Sequence, residues 1–193
     1  MKSNPDNICC LKQNNLYVGL VHHPIYNKFG EVVTTSITNL DIHDISRSCL
    51  TFGVKKFFII NPLETQKKLF ERILKFWQSS IANHFNPDRV NALSIIDYAY
   101  DLESAIKQIN SQEEDCVVIT TTAMDLNKHL SVKDFGQLDK PVFLLFGTGN
   151  GLTSEIHDRA DHVLEPIKGV GNYNHLSVRS AVAIMLHRLT SVK

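Results

Sequence analysis

The feature that most constrains this chain is a series of short runs, most of them apolar throughout, separated by segments with helical periodicity. Such runs suit strands covered on both faces, because a half-exposed strand would alternate apolar and polar residues. Helices between them favour an α/β domain with a largely parallel sheet and helices on both faces. The predicted strands are 16–21, 56–60, 92–96, 116–120, 142–146 and, with a weaker pattern, 162–164.

Helices are predicted between these runs, where apolar residues recur every three or four positions. The predicted helices cover residues 41–52, 63–77, 102–109 and 175–189. The second has one apolar stripe, formed by Leu69, Ile73, Phe76 and Trp77, as expected of a helix that packs one face on a sheet. The last is apolar on more than one face, so it needs cover that either the domain core or a partner subunit can supply.

Length and composition favour one domain. A chain of 193 residues with 43% hydrophobic residues is long enough to bury one sizeable core. Residues 1–15 are polar and contain Pro5, so we predict a flexible arm there and a single domain over residues 16–193.

The sequence carries no sign of export or membrane insertion. It has no continuous apolar segment near its start and no run of about 18 apolar residues, so neither a signal peptide nor a membrane span is indicated. Its four cysteines show no CxxC spacing, which argues against a zinc ribbon or a disulfide scaffold. We therefore predict a cytoplasmic protein with reduced thiols.

The net charge is zero, with 20 basic and 20 acidic residues, so the whole protein has no field that would attract a polyanion. Binding to nucleic acid would need a local patch. One flank is richer in basic residues, Lys55, Lys56, Lys67, Lys68, Arg72 and Lys75. Another is richer in acidic residues, Asp97, Asp101, Glu103, Glu113, Glu114 and Asp115. Both runs could equally be solvated helix faces.

The strongest local signal is an apolar strand that runs into three alternate glycines, Gly147, Gly149 and Gly151. Glycine lets backbone amides approach a ligand closely, so a cofactor could lie against this loop. A purely structural turn is the alternative. A dinucleotide-binding GxGxxG motif does not fit, because Leu152 stands where the third glycine is needed, and no GxxxxGK[ST] phosphate loop occurs.

Two further loops could complete a pocket around these glycines. Residues 166–174 contain Gly169 and Gly171 just before the last predicted helix, and residues 120–123 follow a predicted strand. Parallel strands end at the same edge of a sheet, where α/β proteins usually bind ligands. We therefore expect the three loops to form walls of one pocket. For residues 120–123 the alternative is a helix N-cap.

A densely polar stretch, residues 22–47, lies beside two strand-like segments. Polar groups near strand ends suggest a site. The candidate metal ligands in this stretch are His22, His43, Asp41 and Asp44. They lack a tight metal-binding spacing such as HExxH, so no metal is predicted. The helix that carries Arg47 is expected to begin at an N-cap formed by Asn39 or Asp41.

Three stretches together resemble the SPOUT methyltransferases. They are residues 39–53 with Arg47 on a helix, the Phe-Gly-Thr-Gly-Asn-Gly-Leu loop at 146–152, and residues 169–189, which include HLSVRSAVAIMLHRL. More narrowly, YVGLVHHPIYNKFGEVVTTSITNLDIHDISRSCLTFGV is similar to a small bacterial branch of SAM-dependent RNA methyltransferases, sometimes compared with the tRNA guanine-N1 enzymes. The resemblance covers nearly all of residues 16–193.

The resemblance implies a C-terminal trefoil knot, a homodimer, an RNA substrate (tRNA or rRNA) and S-adenosyl-L-methionine (SAM) as the cofactor. It places SAM against the same three loops, at residues 120–123, 146–151 and 167–172, mostly through backbone groups. The cofactor-binding residues expected on this basis are Thr120, Thr121, Thr122, Phe146, Gly147, Thr148, Gly149, Gly151, Ile167, Gly169, Gly171, Asn172 and Leu176.

The motifs depart from the ribose 2′-O branch of that superfamily and leave the methylated atom open. The branch has Asn-Glu-Gly in its middle loop and Ser-Leu-Asn-Val-Ser before its last helix. This chain has Gly149-Asn150-Gly151 and His-Leu-Ser-Val-Arg at these places. In the second segment, Arg179 could contact RNA or only flank the helix. Arg47 does match the arginine of the branch, whereas no segment matches the aspartate base of the guanine-N1 enzymes.

Methyl transfer needs an aligned acceptor and a group that takes one proton. We hypothesise that Arg47 holds a phosphate or the acceptor and that Asp41 or Asp44 is the general base. An ion pair of Arg47 with Asp44 or Glu31 is the structural alternative. The rival function is a non-catalytic RNA-binding or assembly protein that keeps the fold, because the net charge is zero and the 2′-O residues are missing.

Overall fold

A parallel sheet forms the centre of the molecule. The computed structural model describes residues 15–124, 129–171 and 173–191. The strands are β1 (Leu16–Val21), β2 (Ile25–Tyr26), β3 (Val32–Val33), β4 (Lys56–Ile60), β5 (Ile96–Ala99), β6 (Val117–Thr120), β7 (Val142–Gly147) and β8 (His162–Val163). Within the described ranges, six of them pair in parallel in the order β5-β4-β1-β7-β6-β8. Strands β2 and β3 form a separate antiparallel hairpin.

Helices cover both faces of this sheet. They are α1 (Asn39–Thr51), α2 (Glu64–Trp77), α3 (Ser80–Phe85), α4 (Pro87–Leu93), α5 (Leu102–Asn110), α6 (Val132–Phe135), α7 (Ser154–Asp158) and α8 (Val178–Thr190). The α/β architecture with a largely parallel sheet, predicted from the apolar runs, is confirmed. The trefoil knot implied by the resemblance stays a prediction.

The alternation of side chains along each strand divides the apolar core in two. On β1, Val18 and Leu20 face the cluster that includes residues of α1, α2 and α8, whereas Tyr17 and Val21 face the cluster with α5 and α7. Gly19 points to the second side, where an added Cβ would lie 2.7 Å from Leu145 Cδ2. Successive side chains of a strand point to opposite faces, so a buried central strand needs apolar residues throughout.

One predicted strand, residues 92–96, is wrong. Asn86 caps α4 by accepting a hydrogen bond from the Arg89 amide, and Pro87 occupies the first turn, a position that proline favours. The helix therefore continues to Leu93, and β5 begins only at Ile96. The buried residues Ala92 and Leu93 belong to a helix face, which a short apolar run cannot distinguish from a strand.

The N-terminus of α1 also differs from the prediction. Thr38 is the N-cap, in place of Asn39 or Asp41, and its hydroxyl accepts a hydrogen bond from the Asp41 amide. In return, the Thr38 hydroxyl donates to the Asp41 carboxylate at 2.6 Å. This reciprocal pairing resembles a capping box and stabilises the start of the helix.

The two charged flanks are partly joined to each other. Lys55 pairs with Glu113, and Lys56 Nζ lies 3.0 Å from Asp97 Oδ2. These contacts neutralise part of the basic flank that the sequence suggested. The outward cations of α2 are not involved in them.

The structure bears on two further predictions, one about the N-terminal arm and one about membrane spans. The arm predicted at residues 1–15 lies outside the described residues except for Asn15, whose carbonyl accepts a hydrogen bond from the Val142 amide. The single-domain division stays a prediction. None of the described helices is both long and apolar enough to span a bilayer.

Candidate active site

The three predicted loops leave the sheet side by side. Strands β7, β6 and β8 are adjacent and parallel, so the segments that follow Gly147, Thr120 and Val163 start at one edge. The third segment returns to the first, because the Asn174 side-chain amide donates to the Ala123 carbonyl at 3.3 Å. The parallel strand order thus brings the first and third loops together, although they lie more than 40 residues apart in the chain.

The first loop begins with three threonines in different environments. Thr120 is buried, and its hydroxyl lies 2.8 Å from His157 Nδ1 of α7. The Thr121 hydroxyl donates to the Leu145 carbonyl at 2.9 Å. Thr122 accepts a hydrogen bond from the Met124 amide in a tight turn. No helix starts here within the described residues, so the alternative of a helix N-cap is not supported.

The middle loop packs tightly against the β2–β3 hairpin. The Asn150 amide donates to the Tyr26 carbonyl at 2.8 Å, and the Tyr26 amide donates to the Gly151 carbonyl at 2.9 Å. Gly149 has φ +57°, and a Cβ there would lie 2.6 Å from Ile25 Cδ1 and 2.9 Å from the Tyr26 carbonyl oxygen. The close approach that requires glycine at position 149 is therefore made by the protein itself.

The other predicted residues of this loop are mostly enclosed. Phe146 is buried in the core, and a Cβ on Gly147 would lie 2.7 Å from the Leu152 amide of its own loop. Gly151 has φ +103° and, among the described residues, no atom within 4 Å of the place where a Cβ would stand. Gly151 is thus the glycine of this loop that leaves open space beside the backbone.

A buried chain of hydrogen bonds fixes Thr148. Its hydroxyl donates to the Val21 carbonyl at 3.2 Å and lies 2.6 Å from the Thr35 hydroxyl, which in turn lies 2.9 Å from His22 Nδ1. The three side chains thus form one continuous chain of hydrogen bonds, in which each hydroxyl can donate one proton.

His22 itself is fully buried at the end of β1, and its Nε2 has no hydrogen-bond partner among the described residues. Burial disfavours the charged imidazolium and lowers the pKa of His22 to about 4. Sequence reasoning noted His22 in a polar stretch but missed its link through Thr35 to Thr148. The signal that could have indicated it is the Thr34-Thr35 pair after a short valine run.

The third loop is more open. Ile167 is half-buried against the core, and a Cβ on Gly169 would lie 2.9 Å from the Tyr173 carbonyl oxygen. Around Gly171, in contrast, no described atom lies within 4 Å of a Cβ position, and the Leu176 side chain is exposed. Asn172, also predicted to bind the cofactor, lies outside the described residues.

An open cleft of about 480 Å³ lies at the start of this loop, within the range of about 300–1,000 Å³ typical of small-molecule sites. Arg188 of α8 contributes to its wall and donates to Glu165 at 2.9 Å. The residues around the cleft are His129, Glu165, Pro166, Ile167, Lys168 and Arg188. The cleft shares Ile167 with the predicted cofactor residues but does not reach the first or the middle loop.

The candidate bases Asp41 and Asp44 both face Arg179 at the start of α8. Arg179 Nη1 lies 3.6 Å from Asp41 Oδ1, and Arg179 Nε lies 3.7 Å from Asp44 Oδ2. Asp41 is buried and also accepts from Thr38, whereas Asp44 is exposed. Both carboxylates thus link α1 to α8 near the third loop, and Asp44 is the more accessible of the two.

Arg47 does not form the ion pair proposed as its structural alternative. Its side chain is exposed, and within the described residues it has no carboxylate partner, because Asp44 pairs with Arg179. It lies six residues beyond Asp41 on α1, a rise of about 9 Å along the helix. The structure therefore separates Arg47 from the capped end of the helix and leaves its guanidinium available to a ligand.

The histidines and aspartates of the polar stretch do not come together as a metal site. His22 lies under the middle loop, whereas His43 packs edge-on against Trp77, with ring centroids 5.0 Å apart. Among the described residues, no group of three or more His, Cys, Asp or Glu side chains is arranged to hold a metal ion.

Comparison with solved structures defines the fold. The Aquifex aeolicus TrmH/SpoU tRNA modifying enzyme superposes with a TM-score of 0.56 at 15% identity, over 93% of this chain and 74% of that one. At this identity the likeness concerns the fold alone. The fold is that of the SPOUT methyltransferases.

Sequence comparison defines the family. A family model described as SAM-dependent RNA methyltransferase matches residues 15–191. The chain belongs to this family, whose cofactor is SAM, as the resemblance implied. A tRNA (guanine-N(1)-)-methyltransferase of Oleidesulfovibrio alaskensis is 40% identical over 178 residues, which are 91% of this chain but 42% of that protein. An uncharacterised protein of Aquifex aeolicus is 32% identical over 184 residues, covering 92% of this chain and 89% of the relative.

Proposed function

We propose that this protein transfers a methyl group from SAM to an RNA at the carboxyl edge of its sheet. The observation that carries the proposal is that β7, β6 and β8 are neighbours, so that three separate loops leave the same edge. The ends of parallel strands are where open α/β sheets bind ligands. In this position the loops can hold one small molecule between them.

The residues present fit SAM. The cleft at Ile167 is large enough for part of a nucleoside-sized ligand, and Gly151 and Gly171 leave open space at the backbone of two loops. When bound, SAM supplies an electrophilic methyl group on a positively charged sulfur. It would be held by the loops at residues 120–123, 146–151 and 167–172, mostly through backbone groups. The buried network of His22, Thr35 and Thr148 keeps the middle loop in one conformation.

On the acceptor side, Arg47 and the two aspartates have separate tasks in this proposal. Arg47 is exposed and without an ion pair in the described chain, so it can bind a phosphate or the acceptor group. Asp44 is the favoured general base, because it is exposed, whereas Asp41 is buried and already accepts a hydrogen bond from Thr38. The Asp41 carboxylate would then act mainly by fixing α1 against α8.

The RNA substrate is proposed from the family, as tRNA or rRNA. The chain spans less than half the length of the relatives named tRNA (guanine-N(1)-)-methyltransferase. That name therefore does not assign guanine-N1 methylation to the part they share with this chain. The missing Asn-Glu-Gly motif argues against ribose methylation, and the methylated atom is left to experiment.

We further propose that the protein acts as a homodimer in the cytoplasm. Leu40 on α1 and Ile184 on α8 are exposed apolar side chains on two helices that contact each other. A second copy covering this face would remove both from water, which is the usual reason for exposed apolar patches. An RNA substrate is the basis for the cytoplasmic assignment.

Two measurements test the function. Calorimetry with SAM should give micromolar binding, and nucleoside mass spectrometry of RNA from a strain without the protein should show one methylated nucleoside missing. The substitution Arg47→Ala should abolish single-turnover methylation while leaving SAM binding intact. RNA binding without any affinity for SAM would instead establish the rival function of a non-catalytic RNA-binding protein.

A further inference from the structure

The outward side of α2 carries cations that pair with no carboxylate of the described residues. Lys68, Arg72 and Lys75 are exposed and lie within about a sixth of the helix circumference. In the described chain no carboxylate oxygen lies within ion-pairing distance of any of the three. Lys67, in contrast, pairs with Glu71 at 3.8 Å. The charge of this stripe is therefore available to an anionic partner.

Apolar side chains border the same stripe. Leu69 is 41% and Phe76 57% exposed on α2, and Ile81 is 71% and Phe85 86% exposed one turn apart on α3, which contacts α2. Exposed apolar side chains that occur singly need no explanation, but four on two touching helices mark an interaction surface. Two of them are aromatic rings that can stack on a flat partner.

The stripe is connected to Arg47 through a group of rings. The Arg89 guanidinium lies 5.4 Å from the centroid of Trp77 on α2, and the Trp77 ring contacts His43 on α1 edge-on. Burial is the main reason why the pKa of His43 is lowered, and the nearby charges of Arg89 and Arg47 lower it further. These contacts place Arg89 and His43 on the inner side of α2, and Phe76, whose ring centroid lies 5.4 Å from that of Trp77, lies between Trp77 and the stripe.

We propose that an unpaired segment of the RNA substrate docks across α2 and α3, with its phosphates on Lys68, Arg72 and Lys75 and its bases stacked on Phe76 and Phe85. The inference rests on the proposed function and adds the surface that holds the RNA. Cationic stripes beside aromatic faces are the usual means of binding single strands. A second copy of the chain fits less well, because a two-fold interface here would bring the same cations face to face.

The test measures binding of a fluorescein-labelled single-stranded oligoribonucleotide of mixed sequence to the full chain at several salt concentrations. One variant combines Lys68→Gln, Arg72→Gln and Lys75→Gln, and a second combines Phe76→Ala and Phe85→Ala. The matched control removes three exposed cations elsewhere, with Lys107→Gln, Lys133→Gln and Lys140→Gln. SAM binding and sedimentation are measured for every variant.

The charge variant should lower the slope of log affinity against log salt by about 2, since each single-strand phosphate contact contributes about 0.7. The aromatic variant should weaken binding by about 5-fold or more for each ring. The control should keep the wild-type slope, because the proposal concerns the position of the charges and not their number. All variants should bind SAM as the wild type does.

The outcomes separate this inference from the proposed function. If the wild type binds RNA and SAM but both variants bind RNA as tightly as the control, the docking surface is refuted and the proposed function stands. If the wild type binds no RNA, both fail. If the aromatic variant changes sedimentation from dimer to monomer, the surface joins two copies of the chain and the inference is overturned.

Discussion

The middle and third loops of the proposed site are both rich in glycine, yet they are built differently. In the middle loop, Gly149 is enclosed by Ile25 and Tyr26, and hydrogen bonds tie the neighbouring residues to the hairpin. In the third loop, no described atom lies within 4 Å of the place where a Cβ on Gly171 would stand, and Val170 beside it is fully exposed. Glycine therefore occurs in this site for two different reasons, close packing in the middle loop and an exposed backbone in the third.

The difference assigns different tasks to the two loops. Backbone groups that already form hydrogen bonds within the protein keep their loop in place. Backbone groups without such bonds are free to bind a ligand. On this basis the middle loop is a preformed support and the third loop supplies most of the adaptable contacts to the cofactor. Substitutions should then affect stability in one loop and ligand affinity in the other.

The largest expected effect is that of Gly149→Ala. A left-handed backbone costs a residue with a Cβ about 1–2 kcal/mol, and overpacking against Ile25 and the Tyr26 carbonyl adds a similar amount. We expect a loss of about 3 kcal/mol in the free energy of unfolding, measured with urea. The matched substitution Gly171→Ala should change it by less than about 0.5 kcal/mol, while weakening SAM binding in calorimetry. Equal loss of stability in both variants would contradict the division between the two loops.

A second, smaller effect concerns the network under the middle loop. The pKa of His22 is about 4 in the folded protein and 6.5 when unfolded, so the unfolded chain binds the extra proton first. Stability should fall as the pH drops from about 6.5 to 4, and it should level off below that. At pH 4.5 the loss from this group is about 2.5 kcal/mol relative to pH 8.

This pH dependence can be isolated by substitution. Urea unfolding of His22→Gln should show a shallower loss of stability between pH 8 and 4.5 than the wild type, because glutamine does not titrate. His84→Gln, at an exposed position on α3, serves as the control and should keep the wild-type dependence. Parallel curves for wild type and His22→Gln would show that the buried imidazole is not what acid destabilises.

The sequence predicted the sheet well where burial and secondary structure impose the same pattern. Strands β1 and β4 have the predicted bounds, because both are apolar on each face. The failures occurred where a local contact decides the conformation. Asn86 and Pro87 turn residues 87–93 into a helix, and the two-residue strands β2 and β3 are too short to show any periodicity.

Of the site, the sequence predicted only that the three loops lie at the same edge of the sheet. The position of three loops at one edge follows from parallel pairing. The pairing of Asp41 and Asp44 with Arg179 joins residues about 135 positions apart, for which no local pattern exists. The network from His22 through Thr35 to Thr148 is equally long-range, since its threonines lie 113 positions apart in the chain. Such contacts depend on the packed fold.

The smallest expected effect is at the ion pairs that join α1 to α8 beside the third loop. Arg179 lies 3.6 Å from Asp41 and 3.7 Å from Asp44, and its side chain is 32% exposed. Partly exposed pairs at this distance contribute about 0.5–1 kcal/mol. Arg179→Gln should lower the free energy of unfolding by that amount in dilute buffer and by less in 1 M salt, where charges are screened within about 3 Å.

A matched control for Arg179 is Arg159→Gln, which also removes an arginine that faces two carboxylates, Glu103 on α5 and Glu155 on α7. If the third loop depends on the α1–α8 contact, Arg179→Gln should also weaken SAM binding, since α8 begins directly after that loop. A loss above about 2 kcal/mol that persists in 1 M salt would contradict the ion-pair explanation. It would mean that Arg179 stabilises the helices by packing its apolar stem, a contribution that salt does not screen.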